Sequence, residues 1–309
     1  MEGKVSRRAL KIRDTSYNYV AKSGKEIILC GGAIDTPRLL LLNGIGPASE
    51  LEELGISVVK DLKGVGKHLQ DHVWTVLAVE VDGSQNDRYA LESNPDKIAE
   101  AQALYKKDQS GPFALAHSSL WGGFLKLPDL ESYPEFQSLD AGMKNYLRND
   151  KVPTYELIGN CALLPGLKCQ PGNSYLSAGA FLMNPQSEGS VTLKSKDPKN
   201  NPVIDVAYLS HPYDHRVHRE SIRAVWNLLF EHPNTKKAIK GKLFGPESLS
   251  DEDIDAHMKN AANTVWHANG TVKMGKSDDE GACVDTRFKV FGIDGLRVAD
   301  LSVCPVTTK

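Results

Sequence analysis

The chain carries TVWHANGTVKMG at 264–275 and, beyond an acidic linker, VDTRFKVFGIDGLRVADLSVCP at 284–305. One histidine, His267, is set among small residues, with Gly270, Thr271, Met274 and Gly275 following at close spacing. Two short β-type runs come next, the second ending in Arg297-Val-Ala-Asp300-Leu-Ser302. An imidazole titrates near neutral pH, so a histidine framed in this way is a candidate for proton transfer, and the whole segment reads as an active-site frame.

Working outward, Lys25-Glu-Ile-Ile-Leu-Cys30 reads as a buried strand and Gly31-Gly32 as a tight turn. Asp35 or Thr36 is expected to cap a helix that begins at Pro37 and continues through Arg38-Leu-Leu-Leu-Leu42. A strand, glycine turn and helix bring backbone N–H groups to a helix N-terminus, where phosphate is bound, although most such turns bind nothing. Further on, GVGKHLQDH at 64–72 packs two glycines, two histidines and an aspartate into nine residues.

These stretches resemble the glucose-methanol-choline family of flavin oxidoreductases. The family pattern T-x-x-H-x-x-G-T-x-x-M-G matches at Thr264, His267, Gly270, Thr271, Met274 and Gly275. L-R-V-x-D-x-S-x-x-P matches from Leu296 through Asp300 and Ser302 to Pro305. The family's second signature matches along GGAIDTPRLLLLNGIG at 31–46, with Asn43 for the usual serine, and G-V-G-x-N-L-x-D-H matches at 64–72, with His68 for the usual asparagine. GSVTLKSKDP at 189–198 resembles a further family run. The resemblance implies FAD as cofactor, His267 as the base for alcohol oxidation, and a cofactor-lining role for Gly32, Ala33, Asp300 and Leu301. A lone histidine is ordinarily a satisfied core residue, and the dozen matched positions around His267 reverse that expectation.

Composition leaves room for this. With 309 residues, 40% of them hydrophobic, the chain is long enough for one or two domains. A net charge of −2 gives no extended footprint for nucleic acid or anionic lipid. No run approaches the ~20 apolar residues of a membrane helix. Five scattered cysteines form no zinc pattern, and Cys161 and Cys169 admit either a loop disulfide or buried thiols.

Residues 44–56 imitate a phosphate-gripping helix-hairpin-helix, but Glu50, Glu52 and Glu53 stand where cations would be needed. His68 and His72 beside Asp71 suit a polar turn better than a metal site, for lack of a third ligand. His211, His215 and His218 ride the start of an amphipathic helix expected over Tyr213 to Glu231, and a solvated helix end is preferred to a metal pair. Lys236 to Lys242 reads as a solvated basic loop. A hairpin is expected within 1–23, a helix over 95–107, strands over 73–81 and 174–183, and a helix capped by Ser250.

The fold class expected is α+β: an incomplete FAD-binding α/β (Rossmann-like) part, formed by 1–72 and 210–309, and a substrate-binding domain over 73–209 with an antiparallel sheet and helices. The substrate implied is a small-molecule alcohol. Within the family, a flavin-dependent non-redox lyase or cyclase is the alternative, and a non-catalytic flavoprotein remnant is the reading from another class. The chain has no G-x-G-x-x-G after an early strand, so it is expected to represent the C-terminal two-thirds of an enzyme and to be inactive alone.

Overall fold

The computed structural model describes residues 3–4, 24–82, 91, 94–114, 121–160 and 173–307. Most of the hairpin expected within 1–23, and the Cys161–Cys169 pair, lie outside them. In chain order the elements are β1 (Gly3–Lys4), β2 (Ile27–Leu29), α1 (Gly32–Leu42), β3 (Ile45–Gly46), α2 (Ala48–Glu53), β4 (Lys60–Asp61) and β5 (Val73–Val81). Next come α3 (Pro95–Asp108), β6 (Trp121–Leu125), α4 (Pro134–Gln137), α5 (Ala141–Arg148), β7 (Tyr155–Asn160), β8 (Ser174–Leu182), β9 (Ser190–Thr192) and β10 (Val203–Asp205). The last are α6 (Pro212–Trp226), α7 (Pro233–Lys236), β11 (Ile239–Phe244), α8 (Asp251–Ala261), β12 (Asn263–Thr264), β13 (Ile293–Asp294) and β14 (Leu296–Val298).

These elements fall into two compact units, one of residues 1–72, 185–210 and 266–309, the other of 73–184 and 211–265. The division expected from sequence kept 73–209 together and joined 210–309 to the N-terminal part. Instead 185–210 sides with the N-terminal residues, because β9 and the turn before it bond back to them: Val191 donates to Gly66 O at 2.7 Å and Gly189 to Leu69 O at 2.8 Å. Residues 211–265 side with the sheet, because β11 and β12 both pair with β5.

In the first unit, β14 lies parallel to β2 in the register Leu296↔Ile27, Arg297↔Ile28, Val298↔Leu29, and β13 lies parallel to β1. Leu40 and Leu41 of α1 pack with Val272, Val284, Val298 and Val303 in the core of this unit. The helix begins at Gly32, five residues before the expected start, and Pro37 lies inside it. Thr36, expected as a cap, lies inside the helix, and its Oγ1 accepts the Gly31 N–H at 2.9 Å; the N-cap position is Gly31, with no side-chain cap. Pro37 has no N–H to give the carbonyl four residues back, that of Ala33. Thr271 Oγ1 donates to that carbonyl instead, at 2.7 Å, so an interior proline is tolerated.

The second unit is built on an antiparallel sheet in the order β11-β5-β8-β7-β6, with β12 pairing the start of β5. β5 is buried at seven of its nine residues, and it registers Trp74↔Phe181 through Val81↔Ser174 with β8. α6 packs on the sheet through Tyr213, Val217, His218, Ile222 and Val225. At its end the helix widens into a π turn over Asn227–Glu231. α8 starts as expected, Ser250 accepting the Asp253 N–H at 3.1 Å. The basic stretch 236–242 is not a free loop: Ile239–Phe244 pairs along β5 as β11, with two shifts of register.

The three histidines at the start of α6 separate. His211 Nδ1 accepts the Tyr213 N–H at 3.2 Å, and His215 lies 3.4 Å from Asp255 Oδ1. His218 is fully buried, its Nε2 2.7 Å from Thr75 Oγ1, so the expected solvated helix end is partly core. Among the described residues no three His, Cys, Asp or Glu side chains are grouped to hold a metal ion.

Candidate functional site

The first unit resumes at Trp266, which is 83% exposed and takes φ +63°. That left-handed conformation costs an L-residue roughly 1–2 kcal/mol. It turns the chain so that the His267 N–H points to Asp71 Oδ1 at 3.0 Å, while the His267 side chain remains exposed. Asp71 is buried, and its other oxygen accepts the Tyr208 hydroxyl at 2.7 Å. One residue earlier, Gln70 and Asn269 exchange backbone bonds of 3.1 and 2.9 Å in an antiparallel bridge. Extending that register sets His72 opposite His267, and the two rings meet edge to face with centroids 5.4 Å apart.

From His267 the chain runs beside the 301–303 turn. Gly270 N–H donates to Leu301 O (3.3 Å), Val272 N–H to Ser302 O (2.8 Å) and Met274 N–H to Val303 O (2.9 Å). Asp300 lies at the head of that turn, and its Oδ1 accepts the Ser302 N–H at 2.8 Å. Its Oδ2 accepts the Gly32 N–H at 2.9 Å and the Thr36 hydroxyl at 2.5 Å. Gly32, Ala33, Asp300 and Leu301, predicted from four places in two motifs, are therefore neighbours. Thr271, bonded to Ala33 O, joins them to the loop of His267.

A flavin has a polar heterocyclic edge and a pyrophosphate, and the residues here fit the first better than the second. Asn269 gives its Nδ2 hydrogens to His267 O and Thr307 Oγ1, but among the described residues its buried Oδ1 has no partner, nor has the buried Oγ of Ser302. Such groups are costly unless something bonds them. A Cβ at Gly32 (φ +76°) would meet only open space, so another group has room to approach the backbone there. The N-terminus of α1, however, already holds an anion, the Asp300 carboxylate, which would repel a phosphate at that end.

His68 and His72 have different neighbours. The His68 Nδ1 pairs with Glu188 Oε2 at 2.6 Å, and that hydrogen bond holds the Glu188 carboxyl below its ordinary range. His72 faces His267 instead. Sequence reasoning placed Asp71 only in a polar turn and did not single out Tyr208 or Asn269. Asp71 and Asn269 lie inside matched motifs, but Tyr208 stands outside every pattern, and only the fold shows it.

Models of the GMC oxidoreductase family match residues 6–74 at the N-terminal side and 185–309 at the C-terminal side. The chain belongs to the GMC oxidoreductase family. It is 35% identical over 300 residues to the glucose methanol choline oxidoreductase atC of Aspergillus terreus, covering 95% of this chain and 47% of that protein. It is 33% identical over 297 residues to an oxygen-dependent choline dehydrogenase of Escherichia coli, covering 94% and 48%. A solved structure of Aspergillus oryzae formate oxidase, studied for its FAD modification, superposes with a TM-score of 0.82 at 29% identity, covering 94% of this chain and 52% of that one. The chain thus spans about half the length of these relatives, less than the two-thirds expected.

Proposed function

We propose that this chain takes part in FAD-dependent oxidation of an alcohol CH–OH group, with His267 as the base. The observation that carries the reading is the placement of His267: an exposed imidazole on a backbone fixed by buried Asp71, in a loop bonded to both cofactor motifs. FAD, when bound, supplies the acceptor for the hydride that leaves the alcohol carbon. A ring nitrogen of His267 takes the hydroxyl proton, which an imidazole does well because its ordinary pKa lies near working pH. Gly32, Ala33, Asp300 and Leu301 are assigned to the cofactor's side of the site, and Asn269 and Ser302 are added for their unpartnered buried oxygens.

In a full-length enzyme that carries this segment, replacing His267 by Ala is expected to slow alcohol-driven flavin reduction by about 10²- to 10⁴-fold in stopped flow. A rate within about twofold of the parent excludes the role. With Asp300 already filling the N-terminus of α1, the 309-residue chain on its own is expected to hold FAD weakly and to be inactive. Gel filtration with FAD tests this, because a yellow peak that bleaches with an alcohol contradicts it.

A further inference from the structure

We propose that Asp71, backed by Tyr208, and His72 are positioning residues that hold His267 in its working orientation. The proposal rests on reading His267 as the base and adds residues that the family patterns give no such task. The Asp71 carboxylate spans the two partners, taking the His267 N–H with Oδ1 and the Tyr208 hydroxyl with Oδ2. Tyr208 comes from the segment after β10, so a third stretch of the chain anchors the carboxylate behind His267.

Two further features point the same way. Trp266 is held in a left-handed conformation that an aromatic L-residue leaves readily unless its neighbours fix it, and the Asp71 bond lies one residue on. Buried His72 sets its ring edge to face against His267, with an interplanar angle of 79°, so one side of an otherwise exposed imidazole is walled. A bond on the backbone and a wall beside the ring limit the freedom of a proton acceptor, and orientation is where a large share of rate is gained or lost.

The test uses a full-length, FAD-loaded enzyme that carries this segment, labelled with ¹⁵N and with ¹³C-histidine. The His267 amide is expected to be protected from hydrogen exchange, and Asp71→Ala to lower that protection by about tenfold or more and shift the His267 ring signals. Asp71→Asn should restore protection to within about threefold, since its Oδ1 still accepts and its Nδ2 hydrogens can turn to the Tyr208 oxygen. In turnover, Asp71→Ala should lower kcat by about tenfold with KM within about twofold, and Asp71→Asn should recover most of kcat. An unchanged His267 amide and ring in Asp71→Ala overturns the proposal, as does a folded Asp71→Asn enzyme that fails to recover. Should Asp71→Ala not fold, Tyr208→Phe must still speed His267 amide exchange by a few-fold, and no change there overturns the proposal. Full activity in His267→Ala sinks the base itself, an outcome distinct from any of these.

Discussion

His218 has no exposed surface, and among the described residues only its ring Nε2 has a partner, so the ring is kept neutral. Burial pushes its pKa from the ordinary 6.5 down to about 3, and buried His257, on α8, is lowered for the same first reason. As pH falls below 6.5 the unfolded chain takes up the proton and the folded chain does not, so stability is complete above 6.5 and is lost progressively down to about 3. For His218 alone the loss has an upper bound of about 5 kcal/mol. Melting temperatures measured from pH 7 to pH 4 should fall steeply for the parent and less so for His218→Gln, whose amide can keep a bond to Thr75. At this scale the sequence was half legible. His267 stood out because a motif surrounds it, whereas His218 looked like a surface residue because helical spacing does not show which face a sheet will cover.

At the level of elements, the interior proline of α1 and the Gly-Thr of the histidine loop form one device. Thr271→Val is expected to leave the Ala33 carbonyl unpaired inside the core and to destabilise the protein by about 1–3 kcal/mol in urea titration, with Thr271→Ser restoring most of it. An equal loss in both variants would show that the methyl group matters rather than the hydroxyl. Gly66 makes a similar point: with φ +78°, its added Cβ would run into the carbonyl oxygen of Val191 in β9. Gly66→Ala should therefore lower the melting temperature far more than an exposed substitution does. Strand and helix positions were readable because apolar runs and caps are local. The start of α1 was not, because its first N–H, that of Gly32, is taken by Asp300, 268 residues away.

For the whole molecule, the chain passes between the two units at 72–73, 184–185, 210–211 and 265–266. Motifs could not give these boundaries, since 185–210 and 211–265 are sorted by the strands they bond to and not by composition. Deleting 266–309 removes β13, β14 and the apolar residues Val272, Val284, Val298 and Val303 that cover Leu40 and Leu41. Residues 1–265 are accordingly expected to associate through that bared surface and to elute in the void volume, while the parent chain does not. A monodisperse product would show that α1 finds other cover.

The pairing of Ile27 with Leu296 also sets an order of birth. At ~5–20 residues per second, a ribosome needs roughly 13–54 s to travel from one to the other. By then every strand of the antiparallel sheet has emerged, whereas Leu40 and Leu41 have waited beside an empty place for β14. The nascent chain would first close the sheet and only afterwards the unit that carries His267, so for much of its synthesis the leucine-rich helix is the segment most in need of a chaperone's shelter.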